Sequence, residues 1–246
     1  MSQENSHIQM PRLILKNFHN EKNELYYFDF SERTIRRGHA KTFYAEQGYY
    51  SEFVEKYLDK KVEARLGVLV DFLKKTNFQN GDNPPTDYEE VASTYLYSLI
   101  SRAPEFVEEM KHNSSFFQLL SIVDQHDIAA HDALVMAKER HILGEYKVAF
   151  LINNTTEQFV LPAGGIVQYG TRLVCPISPW RGIVFDKHIV TKSEAEIRLF
   201  EFQTVNEIVD INTEAVRQEQ VRNKKYVVAS EKEVLRNLLN TLDMTK

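Results

Sequence analysis

The chain has 246 residues, 43% of them hydrophobic and 26% charged, with a formal net charge of −5. That balance belongs to a globular chain with room for a sizeable core; it argues against indiscriminate nucleic-acid binding over the whole surface but leaves room for a local basic patch. A single cysteine, Cys175, excludes an internal disulfide and fits a reducing compartment, and no apolar run approaches the about 20 residues that a bilayer span needs.

The opening Met-Ser-Gln-Glu-Asn-Ser lacks the basic and apolar regions of a signal peptide, so a cytoplasmic protein without membrane partners is expected. The next stretch, His7 to Phe18, mixes a histidine, cations and amides with a tight apolar pattern. Leu13, Ile14, Leu15 and Phe18 are too apolar to remain in water, which predicts that this segment docks into the core rather than trailing as a tail. Leu25 to Phe30 reads as an aromatic strand. Thr34 to Arg37 is its return strand across Ser31-Glu32-Arg33, and the hairpin end carries Arg33, Arg36, Arg37, His39 and Lys41.

Ser51 to Lys75 is the clearest helix: Ser51 is a good N-cap, and Val54, Leu58, Val62, Leu66, Leu69 and Leu73 recur at helical spacing. At about 100° per residue, Glu55 falls on the apolar side and needs a cation or donors there. A loop through Asn80 to Pro85 leads to a second helix, capped by Thr86 with Glu89 completing a capping box. Val91, Tyr95 and Leu99 mark its buried face. Arg102 shares that face, and Glu55 is its first-choice partner. Pro104 opens a third helix, and Asp124 to His141 forms a fourth. His126 and His131, five apart, point to different sides of that helix and read as surface residues; His112, His141 and His188 have no ligand partner at a useful spacing.

From Tyr146 the texture becomes that of strands: Lys147 to Ile152, Phe159 to Leu161, Ile166 to Tyr169, Leu173 to Ile177 and Ile183 to Phe185, with a further strand at Ile197 to Phe202. The connections are too short for parallel crossovers. A helix from Asn206 to Arg222, a short strand at Tyr226 to Val228 and a helix after Ser230 complete the chain. The expected fold class is α+β: a single domain over residues 1–246, its helical N-terminal half packed on a mostly antiparallel sheet from the C-terminal half.

Several elements, in sequence order, resemble the bacterial DUF4238 family, a domain of unknown function. They are His7-Ile8-Gln9-Met10-Pro11-Arg12-Leu13-Ile14-Leu15-Lys16-Asn17-Phe18, the aromatic strand at Tyr27, Glu46-Gln47-Gly48-Tyr49-Tyr50, Glu55 with Glu63, Ser101-Arg102-Ala103-Pro104, Pro176-Ile177-Ser178-Pro179, and Asn212 followed by Tyr226-Val227. The chain departs from the family at Leu161-Pro162-Ala163-Gly164-Gly165, where many members carry an Asp-Asn-Pro-like turn. The resemblance implies a bacterial protein with a place in phage defence.

Phosphodiester cleavage requires a base or metal-bound water, and cations to absorb the charge on the phosphorane. The sequence offers His7 as acid or base, Arg12 and Arg102 as phosphate clamps, and Glu55, with Glu63, as base; Gln9, Asn17, Arg36, Arg37 and Asn212 are candidate substrate contacts. For each residue a structural duty is the bland alternative: a docked histidine, arginines neutralising buried acids, asparagines as caps. Glu55 and Glu63, about two turns and roughly 12 Å apart along an α-helix, do not make a metal site by themselves, and no motif names a cofactor. The expectation is a nuclease-like hydrolase acting on RNA in an abortive-infection response. The competing expectation is a non-enzymatic sensor recognising a phage protein or a host macromolecule, favoured by the missing aspartate and the acidic charge.

Overall fold

The computed structural model describes residues 6–7, 10–40, 43, 45–46, 49–78, 82–139, 145–189, 198–222 and 226–244, with 6–7 and 45–46 described by their backbone pairing alone. Gln9, Lys41, Gln47, Gly48, His141 and Ile197 lie outside these residues. In chain order the elements are β1 (Ser6–His7), α1 (Arg12–Asn17), β2 (Leu25–Asp29), β3 (Thr34–Gly38), β4 (Ala45–Glu46), α2 (Glu52–Leu58), a π-helical turn (Asp59–Glu63), α3 (Ala64–Lys75), α4 (Tyr88–Ser101), α5 (Pro104–Asn113), α6 (Ser115–Gln118) and α7 (Ile122–Glu139). Then come β5 (Lys147–Asn153), β6 (Leu161–Pro162), β7 (Val167–Tyr169), β8 (Arg172–Ser178), β9 (Arg181–Asp186), β10 (Leu199–Phe202), α8 (Val205–Val221), β11 (Tyr226–Ala229) and α9 (Lys232–Thr241). The class is α+β, with helices concentrated in the N-terminal half and strands in the C-terminal half. Among the described residues no helix is long and apolar enough to cross a membrane.

The chain forms two compact units. One comprises residues 1–11 and 44–144; the other comprises 12–43 and 145–246. The first is helical apart from the short antiparallel pair β1–β4. Ser51 caps α2 by accepting the amide of Val54 at 3.3 Å. Leu58, Val62, Leu66, Leu69 and Leu73 are all buried, as their spacing predicts. The wide turn at Asp59–Glu63 is not legible in that stripe. A π-turn spends about one extra residue on a turn, so residues on either side of it change angular phase.

The next helix begins differently from its sequence reading. Asp87, not Thr86, occupies the N-cap of α4, and it makes no side-chain cap. Its carboxylate is drawn to Arg65 of α3 at 2.7 Å, alongside Glu90 at 2.9 Å. Pro104 does open α5, at a position where its missing amide hydrogen costs nothing.

The second unit holds two sheets. One has the strand order β10-β5-β9-β8-β7; its β5 is buried along Val148–Asn153, as befits a strand covered on both faces. The β5–β10 pair is parallel, an exception to the expected antiparallel texture, and β10 follows β5 only after β6 to β9 have been laid down. Pro176 sits at a register shift between β8 and β9, where a residue without an amide hydrogen is tolerated. Gly182 faces it, and a Cβ there would come 2.9 Å from the carbonyl oxygen of Cys175. The other sheet runs β3-β2-β11-β6, antiparallel throughout, so the N-terminal hairpin supplies half of it. Helices α8 and α9 cover a core containing Phe28, Leu151, Phe159, Val184, Phe202, Ile211, Val227 and Leu235. The expected docking of the N-terminal segment is also met: Ile14, Leu15 and Phe18 are fully buried, and α1 packs against β8.

Phe159 and Val160 lie outside any strand; only Leu161 and Pro162 pair, with β11. The amide of Phe159 bonds the carbonyl of Pro179 at 3.0 Å. The amide of Val160 bonds the side chain of Asn212 at 3.0 Å, so a side chain replaces the ladder.

Candidate functional site

In the helical unit a polar cluster forms inside an apolar shell. Arg102, at the C-cap of α4, is 3% exposed and donates from Nη2 to Glu63 Oε1 at 3.0 Å. The expected partner was Glu55. The π-turn explains why Glu63 can serve. Eight residues along an unbroken α-helix separate two side chains by about 80°. With about one residue absorbed in the wide turn, Glu55 and Glu63 fall within roughly 20° of each other, about 10 Å apart along the axis.

Tyr50 completes the cluster. It is 6% exposed and lies in the field of Arg102, Asp127, Glu63 and Glu55. Burial, aided by the three carboxylates and opposed by Arg102, pushes its hydroxyl up to about 12. Tyr50 is therefore a proton donor throughout the neutral range. Burial works against the charge of Arg102, but Glu63 and Tyr50, with Tyr95, outweigh it and raise its pKa. Asp127 of α7 accepts the amide of Ser51 at 3.0 Å and so fixes the start of α2 beside this cluster. His126, read from sequence as a surface residue, is half-buried, its ring edge-on to Tyr49 at 3.7 Å between centroids. Burial lowers its pKa, against the pull of Asp127. His131 is exposed, as expected.

The second candidate region is a basic helix face in the sheet-bearing unit. Arg12 and Lys16 are exposed on α1. Four apart, they share a face of that helix, and His19 lies two residues past its end, within reach of both their fields. His19 Nε2 accepts the amide of Ala40 at 3.2 Å. Burial, followed by the fields of His39, Lys16 and Arg12, lowers its pKa. His39 Nδ1 lies 3.1 Å from the carbonyl of Asn23. Among the described residues, the charged groups that lower the His19 pKa are cations or another imidazole, an environment suited to an anion.

The residues singled out from sequence divide between the two units. His7, Gln9, Glu55 and Arg102 belong to the helical unit; Arg12, Asn17, Arg36, Arg37 and Asn212 belong to the other. The backbone of His7 pairs with Ala45; its side chain, like Gln9, lies outside the described residues. Glu55, half-buried, joins the cluster around Tyr50. Arg102 is committed to Glu63 and buried, which suits it to position a carboxylate rather than to clamp a phosphate. Arg12 joins the basic face, with Asn17 half-buried at the end of the same helix. Arg36 and Arg37 lie exposed on β3, paired with Glu32 and with Glu24 at 3.0 Å respectively.

Asn212 is not placed to contact a substrate. It is 1% exposed, and both ends of its amide are used: Oδ1 takes the amide of Val160, and Nδ2 donates to the carbonyl of Gln158 at 2.8 Å. The residues that sequence reasoning passed over are Tyr50, Lys16 and His19. Spacing alone links Lys16 to Arg12. Tyr50 carries no such signal, because its place beside Arg102 depends on the packing of α2, α4 and α7.

Among the described residues no three His, Cys, Asp or Glu side chains converge as metal ligands. Cys175 is wholly buried, and its thiol is pushed up by that burial, away from reactivity. No protein-family model, curated protein or solved structure matches the chain.

Proposed function

We propose that the chain is a DUF4238-like bacterial protein that cleaves RNA in the cytoplasm as an effector of phage defence. The observation that carries this reading is the cluster of Glu55, Glu63, Arg102 and Tyr50, two carboxylates brought to one helix face by the π-turn and backed by a buried cation and a buried proton donor. In it, Glu55 takes the proton from the ribose 2′-hydroxyl as its oxygen attacks phosphorus, the bond from phosphorus to the 5′-oxygen breaks to leave a cyclic 2′,3′-phosphate, and the departing 5′-oxygen takes its proton from Tyr50. Glu63 is held in place by Arg102, and Tyr50 keeps its proton for donation to developing negative charge. In the sheet-bearing unit, Arg12 and Lys16 form a separate cationic face that binds RNA backbone in its own right.

Total RNA profiled after induction, with and without phage, tests the reading directly, alongside cleavage of single-stranded RNA by the purified chain. Wild type degrades RNA, Glu55→Gln and Tyr50→Phe bind it without cutting, and Arg12→Ala with Lys16→Ala weakens binding. Binding by that double variant also loses about 1.4 from the slope of log affinity against log salt, since each phosphate contact on a single strand contributes about 0.7. RNA that stays intact in all conditions removes the enzymatic reading.

A second reading has its own observation. Phe116, Leu119 and Ile122 are 69%, 84% and 69% exposed within seven residues at the junction of α6 and α7. Such a patch suits a sensor that docks a phage or host macromolecule. Intact RNA, together with phage-dependent protection that is lost in Phe116→Ser and Leu119→Ser, favours this reading over hydrolysis.

A further inference from the structure

We propose that a groove between α8 and the β7–β8 hairpin is a binding site for a nucleoside phosphate. The groove has a volume of about 670 Å³, and its lining includes Tyr169, Gly170, Glu214, Arg217, Val221 and Arg222. That volume lies within the roughly 300–1,000 Å³ usual for small-molecule sites.

Its charge is unbalanced on the cationic side. Arg217 and Arg222 are exposed, and neither forms an ion pair among the described residues. Two acids stand near them on α8: Glu214 lines the groove itself, and Glu219 lies with Arg222 Nη1 beside Gly164. Glu214 accepts from Gln218 Nε2 at 2.9 Å, and the fully buried Glu219 accepts the amide of Gly164 at 3.4 Å. Gln218 is also occupied: its amide group takes both backbone groups of Gln168 on the edge strand β7, accepting from the nitrogen at 3.0 Å and donating to the oxygen at 2.7 Å. This double bond pattern ties the helix to the sheet edge and fixes the groove's width. Two guanidinium groups are left for a ligand.

The other wall supplies the rest of the recognition. Gly170 has φ +60°, and nothing lies within 4 Å of where its Cβ would stand, so the turn leaves the groove mouth open. Tyr169 offers a half-buried ring, and Val221 is 84% exposed. Guanidinium groups match phosphate oxygens in a bidentate manner, while a tyrosine ring stacks on any planar base. A nucleotide whose phosphate is held by Arg217 and Arg222 leaves its base against Val221 and the outer side of Tyr169, whose ring otherwise packs on the core.

Isothermal titration of the full chain with adenosine and uridine 5′-monophosphates, the matching nucleosides and inorganic phosphate tests this. The nucleotide should bind more tightly than either of its parts. Arg217→Ala with Arg222→Ala should weaken nucleotide binding by about tenfold or more, and Tyr169→Ala should reduce it toward the affinity for phosphate. Circular dichroism should be unchanged by the two arginine substitutions, since those side chains are exposed. No binding by wild type, equal affinity for inorganic phosphate and nucleotide, or undiminished affinity in the double variant would overturn the proposal. The site does not depend on RNA cleavage: Glu55→Gln should bind nucleotide as wild type does, whatever its effect on RNA.

Discussion

The two regions with the most suggestive chemistry use the same kinds of residue in opposite surroundings. In the helical unit, Arg102 is buried with Glu63, Glu55 and Tyr50 around it. In the sheet-bearing unit, Arg12 and Lys16 stand exposed near His19, whose pKa is lowered by burial and then by His39, Lys16 and Arg12. A buried charge must be matched at once by its neighbours, because desolvation costs several kcal/mol per ion. An exposed one is matched by water and can wait for a ligand. The buried cluster is therefore built for fixed geometry, and the exposed face for exchange.

The largest effect expected from breaking the first region comes from Glu63→Ala. It strips a buried guanidinium of its carboxylate and should cost about 3–5 kcal/mol, read as a lower urea midpoint. Arg102→Met should cost less, since Glu63 is 25% exposed and can turn to water. An equal loss in both would show that the pair, not the isolated charge, governs stability.

Tyr50 gives a pH test of the same region. Its folded pKa, about 12, lies above the ordinary value of 10.0, so its contribution is fully present below pH 10. Between pH 10 and 12 the unfolded chain releases this proton while the folded one keeps it, and stability should fall by roughly 2–3 kcal/mol, at 1.36 kcal/mol per unit. Tyr50→Phe should flatten that part of the stability–pH profile. A profile unchanged by the substitution would place the hydroxyl in contact with water.

Asn212→Ala in the other unit removes one buried and one partly buried hydrogen bond to the segment at Gln158–Val160 and takes the side-chain partner from both backbone groups. A loss of about 1–3 kcal/mol is expected, with faster amide exchange at Val160. The smallest effects belong to the exposed hairpin. Arg36→Ala and Arg37→Ala should each change stability by about 1 kcal/mol or less, and that little should vanish at high salt. If either substitution impairs RNA binding while Arg12→Ala does not, the basic face of α1 is not the anion-holding surface.

Much of the fold was legible in local pattern. The stripe from Leu58 to Leu73 gave a helix and its buried side, Pro104 gave a helix start, and the run of apolar segments after Tyr146 gave the strands. Where side chains outcompeted local rules, the pattern misled. The cap expected from Thr86 and Glu89 gave way to an N-cap at Asp87 whose carboxylate goes to Arg65, and the Asn212 amide displaced a strand at Val160. The candidate cluster was half legible. Glu55 and Arg102 stood out because a charge on an apolar face demands a partner, but the pairing with Glu63 depended on the π-turn.

The sequence by itself determined the α+β class, the docking of the N-terminal segment and the need for a partner at Arg102, because periodicity and the cost of burying charge act through neighbours along the chain. Tertiary structure alone decided that Glu63 answers Arg102, that Tyr50 joins them and that Asn212 is a strut. Those outcomes turn on angular phase and on contacts between residues far apart in sequence, such as Glu63 and Arg102 at a separation of 39.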